Sequence, residues 1–124
     1  MSSVTHTTEQ NTARRFVIEA ARLISDRHCD DVIVLDVSGL SQVCDYVIVA
    51  SGTSDRQMKA VADELDDLAA EFGQKRFRAS ADSATTWIVV DFVDIVVHLF
   101  EPNQRDYYDI EALWSDAERV EWKR

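Results

Sequence analysis

The sequence predicts a single α/β domain, a five-stranded sheet with helices packed on it, and three stretches predict it. Asp45 to Phe72 reads as a strand, a tight polar turn and a long amphipathic helix. Glu9 to Arg27 carries a second apolar stripe at helical spacing. Thr85 to Val90 and Ile95 to Phe100 are apolar, β-branched runs joined by Asp91-Phe92-Val93-Asp94, the pattern of a hairpin.

In chain order, the first ten residues are small and polar and read as a lead-in, so the domain is bounded as residues 12–115, with 1–11 before it and a tail over 116–124. In the first helix Ala13, Phe16, Val17, Ala20, Ala21 and Ile24 share one face, opposite Arg14, Arg15, Glu19 and Arg22. His28-Cys29-Asp30-Asp31 breaks it. Val32 to Val37 is the first strand, and Ser38-Gly39 turns it toward a connection, Leu40 to Cys44, of about one helical turn. Val47, Ile48 and Val49 form a run suited to a strand buried on both faces. Ser51-Gly52-Thr53-Ser54 ends that strand, and Ser54 with Gln57 has the capping-box spacing for the next helix. Met58, Val61, Ala62, Leu65, Leu68, Ala69 and Phe72 make its buried stripe, and Gly73 is placed to stop it. Lys75 to Ala79 is a short basic strand suited to a sheet edge, and Ser80 to Ala84 a loop of small residues. After the hairpin, Pro102 can open a short helix, and Arg105 to Trp114 reads as short helical pieces with aromatic anchors. Ser115 to Arg124 is left between a helical extension and a frayed end.

Composition narrows the function. The 124 residues hold 13 Lys and Arg against 23 Asp and Glu, a formal charge of −10. Such a chain is repelled by bare phosphate, which argues against direct nucleic-acid readout and for a basic protein partner. Cys29 and Cys44 stand apart without a CxxC pair, as unlinked thiols do in a reducing cytoplasm. No apolar run approaches the ~20 residues of a membrane span.

Closing the hairpin through residues 91–94 pairs Asp91 with Asp94, Val89 with Val96 and Trp87 with His98. Alternation then puts Trp87, Val89, Val96, His98 and Phe100 on one face and Ile88, Val90, Ile95, Val97 and Leu99 on the other. The wholly aliphatic face belongs against the helices. The mixed face is either covered by a second layer or left to meet something. A two-residue type I′ turn would need positive φ at Phe92 and Val93, so a four-residue turn is expected, and crowding Asp91 against Asp94 calls for a neutralising cation or basic partner.

Each candidate for catalysis has a simpler explanation. The turn Ser51 to Ser54 ahead of a helix could present amides to a phosphate, with Asp91 and Asp94 holding a metal, as in a nucleotidyltransferase. Yet no lysine follows the glycine, the two aspartates are three apart across a turn, and Asp45 and Asp55 add negative charge beside the phosphate site. Ser54 as a helix cap is the simpler account. His6, His28 and His98 lack metal-ligand spacing, and no cofactor is expected. Cys44 beside Asp45 has its thiol pKa raised rather than activated. His98 on its strand reads first as a hydrogen-bonded structural group. The remaining feature is aromatic: Trp87, Tyr107, Tyr108, Trp114 and Trp122, concentrated late in an acidic chain, suit core packing or a dock for a basic protein.

The stretches DVSGLSQVCDYVIVASGTSDRQ (36–57) and WIVVDFVDIVVHLFEPNQRDYYDIEALW (87–114) resemble the ribosomal silencing factor family, also called Iojap-like, over residues 12 to 115. The resemblance implies a mixed sheet related to nucleotidyltransferases but without their activity. It also implies a homodimer-forming protein that docks on the fourteenth protein of the large ribosomal subunit, blocks subunit joining and represses translation when nutrients are scarce. Carried over by position, the contact residues are Trp87 and Tyr108 as apolar anchors, Asp91 as an acceptor for a basic side chain, and His98 as a polar contact. Trp114 is either a further contact or a structural anchor. The family's usual glycine in the hairpin turn is replaced here by Val93.

Overall fold

A computed structural model describes residues 8–123 apart from 75, 77 and 83, with side chains from residue 11 onward. His6 and most of the polar lead-in therefore lie outside the described residues. Helix α1 spans Thr8–Asp26, followed by β1 (Asp30–Asp36), β2 (Tyr46–Ser51) and α2 (Asp55–Glu71). After these come β3 (Arg78–Ala81), the hairpin strands β4 (Trp87–Asp91) and β5 (Ile95–Phe100), α3 (Pro102–Tyr108), α4 (Ile110–Leu113) and β6 (Glu118–Arg119).

The strands form one mixed sheet in the order β3-β4-β5-β2-β1-β6. Among the described residues only β2 and β5 run parallel, Tyr46 to Ser51 lying beside Ile95 to Phe100. That parallel pair explains why β2 is buried along its whole length: the sheet is covered on both faces at its centre. On one face α1 and α2 pack Phe16, Ile24, Met58 and Leu65 against Ile48, Val90, Val97 and Leu99. On the other, Ile110, Trp114 and Ala117 close over Leu35, Val37, Val47, Val49 and Phe100.

Local chemistry sets the ends of α2. The Gln57 amide donates to Ser54 Oγ at 3.1 Å, as the capping spacing requires. Gln57 Oε1 reaches back to the Thr53 amide at 2.7 Å, one residue before the cap. At the other end Gln74 N–H donates to Ala69 O and Gly73 N–H to Ala70 O, with Gly73 at φ 70, a Schellman closure. Gly52 is required by a close approach: a Cβ there would stand 2.3 Å from Met58 Cγ.

Three expectations are corrected. Among the described residues the sheet has six strands, not five, because residues 118–119 pair with Leu35 and Asp36 instead of extending as helix or fraying. Val120 is buried beside them, and Trp122 Nε1 donates to Val32 O at 3.1 Å, so this ending is tied to the sheet by backbone and side chain. The hairpin register is displaced by two residues: Trp87 lies opposite Phe100, Val89 opposite His98 and Asp91 opposite Val96. An even displacement leaves every side chain on its expected face. Its cause is the third correction, a tighter turn than the expected four residues. Phe92 N–H donates to Ile95 O at 2.8 Å and Asp94 N–H to Phe92 O at 3.0 Å, with Val93 at φ 76. An i-to-i+2 bond around a positive-φ residue is the rarer, strained γ-turn. Burying the Phe92 ring edge-on against Phe16, with centroids 5.2 Å apart, gives the tight turn its compensation.

Candidate partner-binding surface

The face of β4 and β5 turned away from α1 and α2 is covered only in part, and there the late aromatics meet. The Trp87 ring stacks on Phe100 with centroids 5.0 Å apart. Tyr108, carried by α3, lies against the same indole at 4.5 Å, and Tyr107 meets Tyr108 edge-on at 5.1 Å. Pro102 at the start of α3 and the Glu101 side chain bonded to the Asn103 amide direct that helix back across the sheet. Tyr107 is 77% and Tyr108 43% exposed, so the cluster grades from core at Phe100 to solvent at Tyr107.

His98 belongs to this cluster. Trp87 Nε1 donates to His98 Nδ1 at 3.2 Å, which places the proton of the neutral ring on Nε2. Burial lowers the His98 pKa from 6.5 to about 4, so the ring is neutral near pH 7. The two residues are diagonal neighbours rather than opposite, yet the long indole spans the gap.

Trp87, His98 and Tyr108 are thus brought together. Asp91 stands four residues along β4, roughly 13 Å away at a strand's rise. Its Oδ1 accepts from the Val93 amide at 2.7 Å and its Oδ2 lies 3.9 Å from Arg78 Nε, so its first task is to hold the turn. Trp114, the residue that ends α4, is partly buried and packs against the apolar set of Leu35, Val37, Val47, Val49 and Phe100.

Arg105 was not singled out from the sequence, and it secures the surface. Only 8% exposed, it joins α3 to α4 through Glu111 Oε1 at 2.8 Å and to the end of β2 through Ser51 Oγ at 2.9 Å. It fixes the helix that carries Tyr108. A lone arginine before two tyrosines gives no local sign of burial. Beside it a cleft of about 720 Å3 has a mixed lining, with Asp30, Asp31 and Asp106 facing Arg119 and Lys123.

The turn that resembled a phosphate site is occupied by its own fold. The Gly52 amide donates to Phe100 O at 2.7 Å, Thr53 to Gln57 Oε1 and Gln57 to Ser54 Oγ. The Cys44 thiol pKa is raised, by burial first and by Asp45 among lesser causes. The Asp45 pKa is raised as well, by burial and then by Asp94 and Asp36. Among the described residues no helix is long and apolar enough to cross a membrane.

Fold and surface together define a small mixed-sheet α/β domain whose solvent-facing feature is an aromatic cluster on one sheet face. The family described as "ribosomal silencing factor during starvation" matches residues 10–124. A ribosomal silencing factor of Bacillus subtilis is 39% identical over 98 residues, spanning 79% of this chain and 83% of its own. The chloroplastic protein Iojap of Zea mays is 30% identical over 109 residues, 86% of this chain and 46% of that longer protein. A Chromobacterium violaceum crystal structure superposes with a TM-score of 0.76 at 34% identity, covering 90% of this chain and 92% of that one. A Bacillus halodurans structure gives 0.72 at 30%, covering 87% and 98%. The chain belongs to the ribosomal silencing factor family.

Proposed function

We propose that this protein docks on the large ribosomal subunit through a basic ribosomal protein, the fourteenth of that subunit. It thereby blocks association of the two subunits and represses translation under nutrient limitation, acting in the cytoplasm without catalysis or cofactor and self-associating as a homodimer. The observation that carries the reading is the graded aromatic surface of Trp87, Tyr108 and Tyr107 on a chain of charge −10. Half-exposed aromatic rings on a rigid sheet suit a hot spot, and the acidic field steers toward a basic protein while RNA repels it. Asp91, His98 and Trp114 complete the proposed contact set, with Asp91 at the hairpin turn and Trp114 partly buried against the sheet. Family membership supports the ribosome as the setting. The committed amides of the Gly52 turn weigh against the alternative, a nucleotidyltransferase-like enzyme.

Tyr108 gives the cleaner test, because Trp87 also packs on Phe100 and bonds His98. Tyr108→Ala should weaken co-sedimentation with isolated large subunits at least ~10-fold, a hot-spot-sized loss of ~1.4 kcal/mol or more, with small subunits as the control. Raising salt should weaken binding of the unmodified chain. Unchanged co-sedimentation of a folded Tyr108→Ala protein would remove this surface from the interface.

A further inference from the structure

The cleft beside Arg105 has a fixed cation at its floor. Arg105 Nε donates to Glu111 Oε1, and its Nη1 donates to Ser51 Oγ at 2.9 Å and to Asp30 O at 3.5 Å. Nη2 has no partner among the described residues, although the side chain is only 9% exposed. It is not sealed in. Among the described residues the buried side-chain polar atom without a partner is Asp66 Oδ1, so solvent reaches Nη2. Arg105 meets that solvent in the cleft it lines. A guanidinium with Nε and Nη1 committed to its own fold thus turns its remaining amino group, a charged donor, outward.

The walls carry the opposite charge. Asp30 and Asp31 border the cleft from β1, and Asp106 and Asp109 from the end of α3. A regular strand sends successive side chains to opposite faces. Here the ladder shifts between Asp30 and Ile33, a bulge with Asp31 at φ 50, and both aspartates come to the cleft. None of the four carboxylates forms an ion pair among the described residues, and neither Arg119 nor Lys123 does. With Glu111 included, five carboxylates face three cations, and most of them stand too far apart to neutralise one another.

We propose that this cleft binds the C-terminal end of a basic peptide, its α-carboxylate on Arg105 Nη2 and its Lys or Arg side chains against Asp30, Asp31, Asp106 and Asp109. A phosphate-bearing ligand would also suit the arginine, but it would lie between unpaired carboxylates. A polyamine would suit the carboxylates and meet a cation at the floor. One anionic group at the end of a cationic body satisfies both. The volume of about 720 Å3 falls within the ~300–1,000 Å3 of ligand sites and suits a chain end better than a free amino acid. Trp122, held by its Nε1 bond to Val32 O at 3.1 Å, gives the long basic side chains an apolar wall for their stems. The cleft shares no lining residue with the Trp87 surface, so this binding is independent of the docking proposed above.

The probe is the tetrapeptide acetyl-Ala-Lys-Ala-Lys with a free carboxylate, titrated calorimetrically into the full chain at low salt. Its C-terminal amide should bind at least ~10-fold more weakly, because the charge-assisted bond to Arg105 is lost. Acetyl-Ala-Glu-Ala-Glu should also bind at least ~10-fold more weakly. Asp30 and Asp106 are exposed, so the double variant Asp30→Asn, Asp106→Asn should keep the unfolding midpoint while losing at least ~10-fold in affinity for the lysine peptide. Four results would each overturn the proposal: no binding up to millimolar peptide, equal affinity for acid and amide, equal affinity of the double variant, or free lysine binding as tightly as the peptide.

Discussion

Val93→Gly should make this protein more stable, contrary to the usual cost of adding a glycine. Val93 sits at φ 76, where a β-branched side chain is an outlier, and its residue is 53% exposed. Holding such a conformation costs ~1–3 kcal/mol. Glycine adopts it freely but returns ~0.5–1 kcal/mol through the entropy of the unfolded chain. The half-exposed isopropyl group gives up part of its burial, roughly another 0.5 kcal/mol out of the ~1.5–3 kcal/mol for a fully buried aliphatic side chain. The two bonds that define the turn, Val93 N–H to Asp91 Oδ1 and Asp94 N–H to Phe92 O, involve no Val93 side-chain atom and survive. The balance favours glycine by about 1 kcal/mol. At ~2.1 cal/mol/K per residue, 124 residues unfold with ~0.26 kcal/mol/K, so the midpoint should rise by about 4 °C. Val93→Ala separates strain from side-chain loss, because it keeps a Cβ at positive φ and should recover little. Thermal and urea unfolding of the three proteins measure this. A midpoint for Val93→Gly at or below that of the unmodified chain would show that the γ-turn is not strained.

Three further outcomes follow from the geometry. The His98 pKa is lowered to about 4 in the fold against 6.5, so the unfolded chain binds the extra proton and stability falls as pH drops from about 6.5 to about 4. The urea midpoint of His98→Phe should decline less over that window, and an identical decline would exclude His98 as a contributor. Gly52→Ala should destabilise by ~1–3 kcal/mol through the clash with Met58, and Met58→Ala in the same chain should cost less than the sum of the two single changes. Arg105→Gln should cost ~1–3 kcal/mol by leaving Ser51 and Glu111 short of a buried donor, and tyrosine fluorescence should report looser packing of α3.

Much of the fold was legible because its signals are local. The α2 stripe, its Ser54 cap and its Gly73 stop each depend on residues within a few positions, and all stand where spacing put them. The faces of the hairpin were legible for the same reason, since strand alternation survives any even change of register. The register itself was not, because the only local signal at the turn, the backbone cost of positive φ at Phe92 and Val93, points away from a tight turn. What outweighed that cost was the burial of Phe92 against Phe16, 76 positions away in the sequence. The sixth strand was hidden likewise: Glu118 and Arg119 carry no strand signal and pair because Trp122 and Val120 are held against β1.

By itself the amino-acid sequence determined the class of fold, the acidic character and the two faces of the hairpin, since composition and periodicity express which surfaces must leave water, while its motifs carried the family resemblance. Only the tertiary structure decided that Tyr108 joins Trp87 and His98 on their shared face while Asp91 turns to its own loop. Only the tertiary structure, too, showed that a buried arginine from α3 holds that surface in place. Those outcomes depend on distances between segments far apart in the chain, which are set when the packed sheet chooses one register and one set of partners for its buried polar groups.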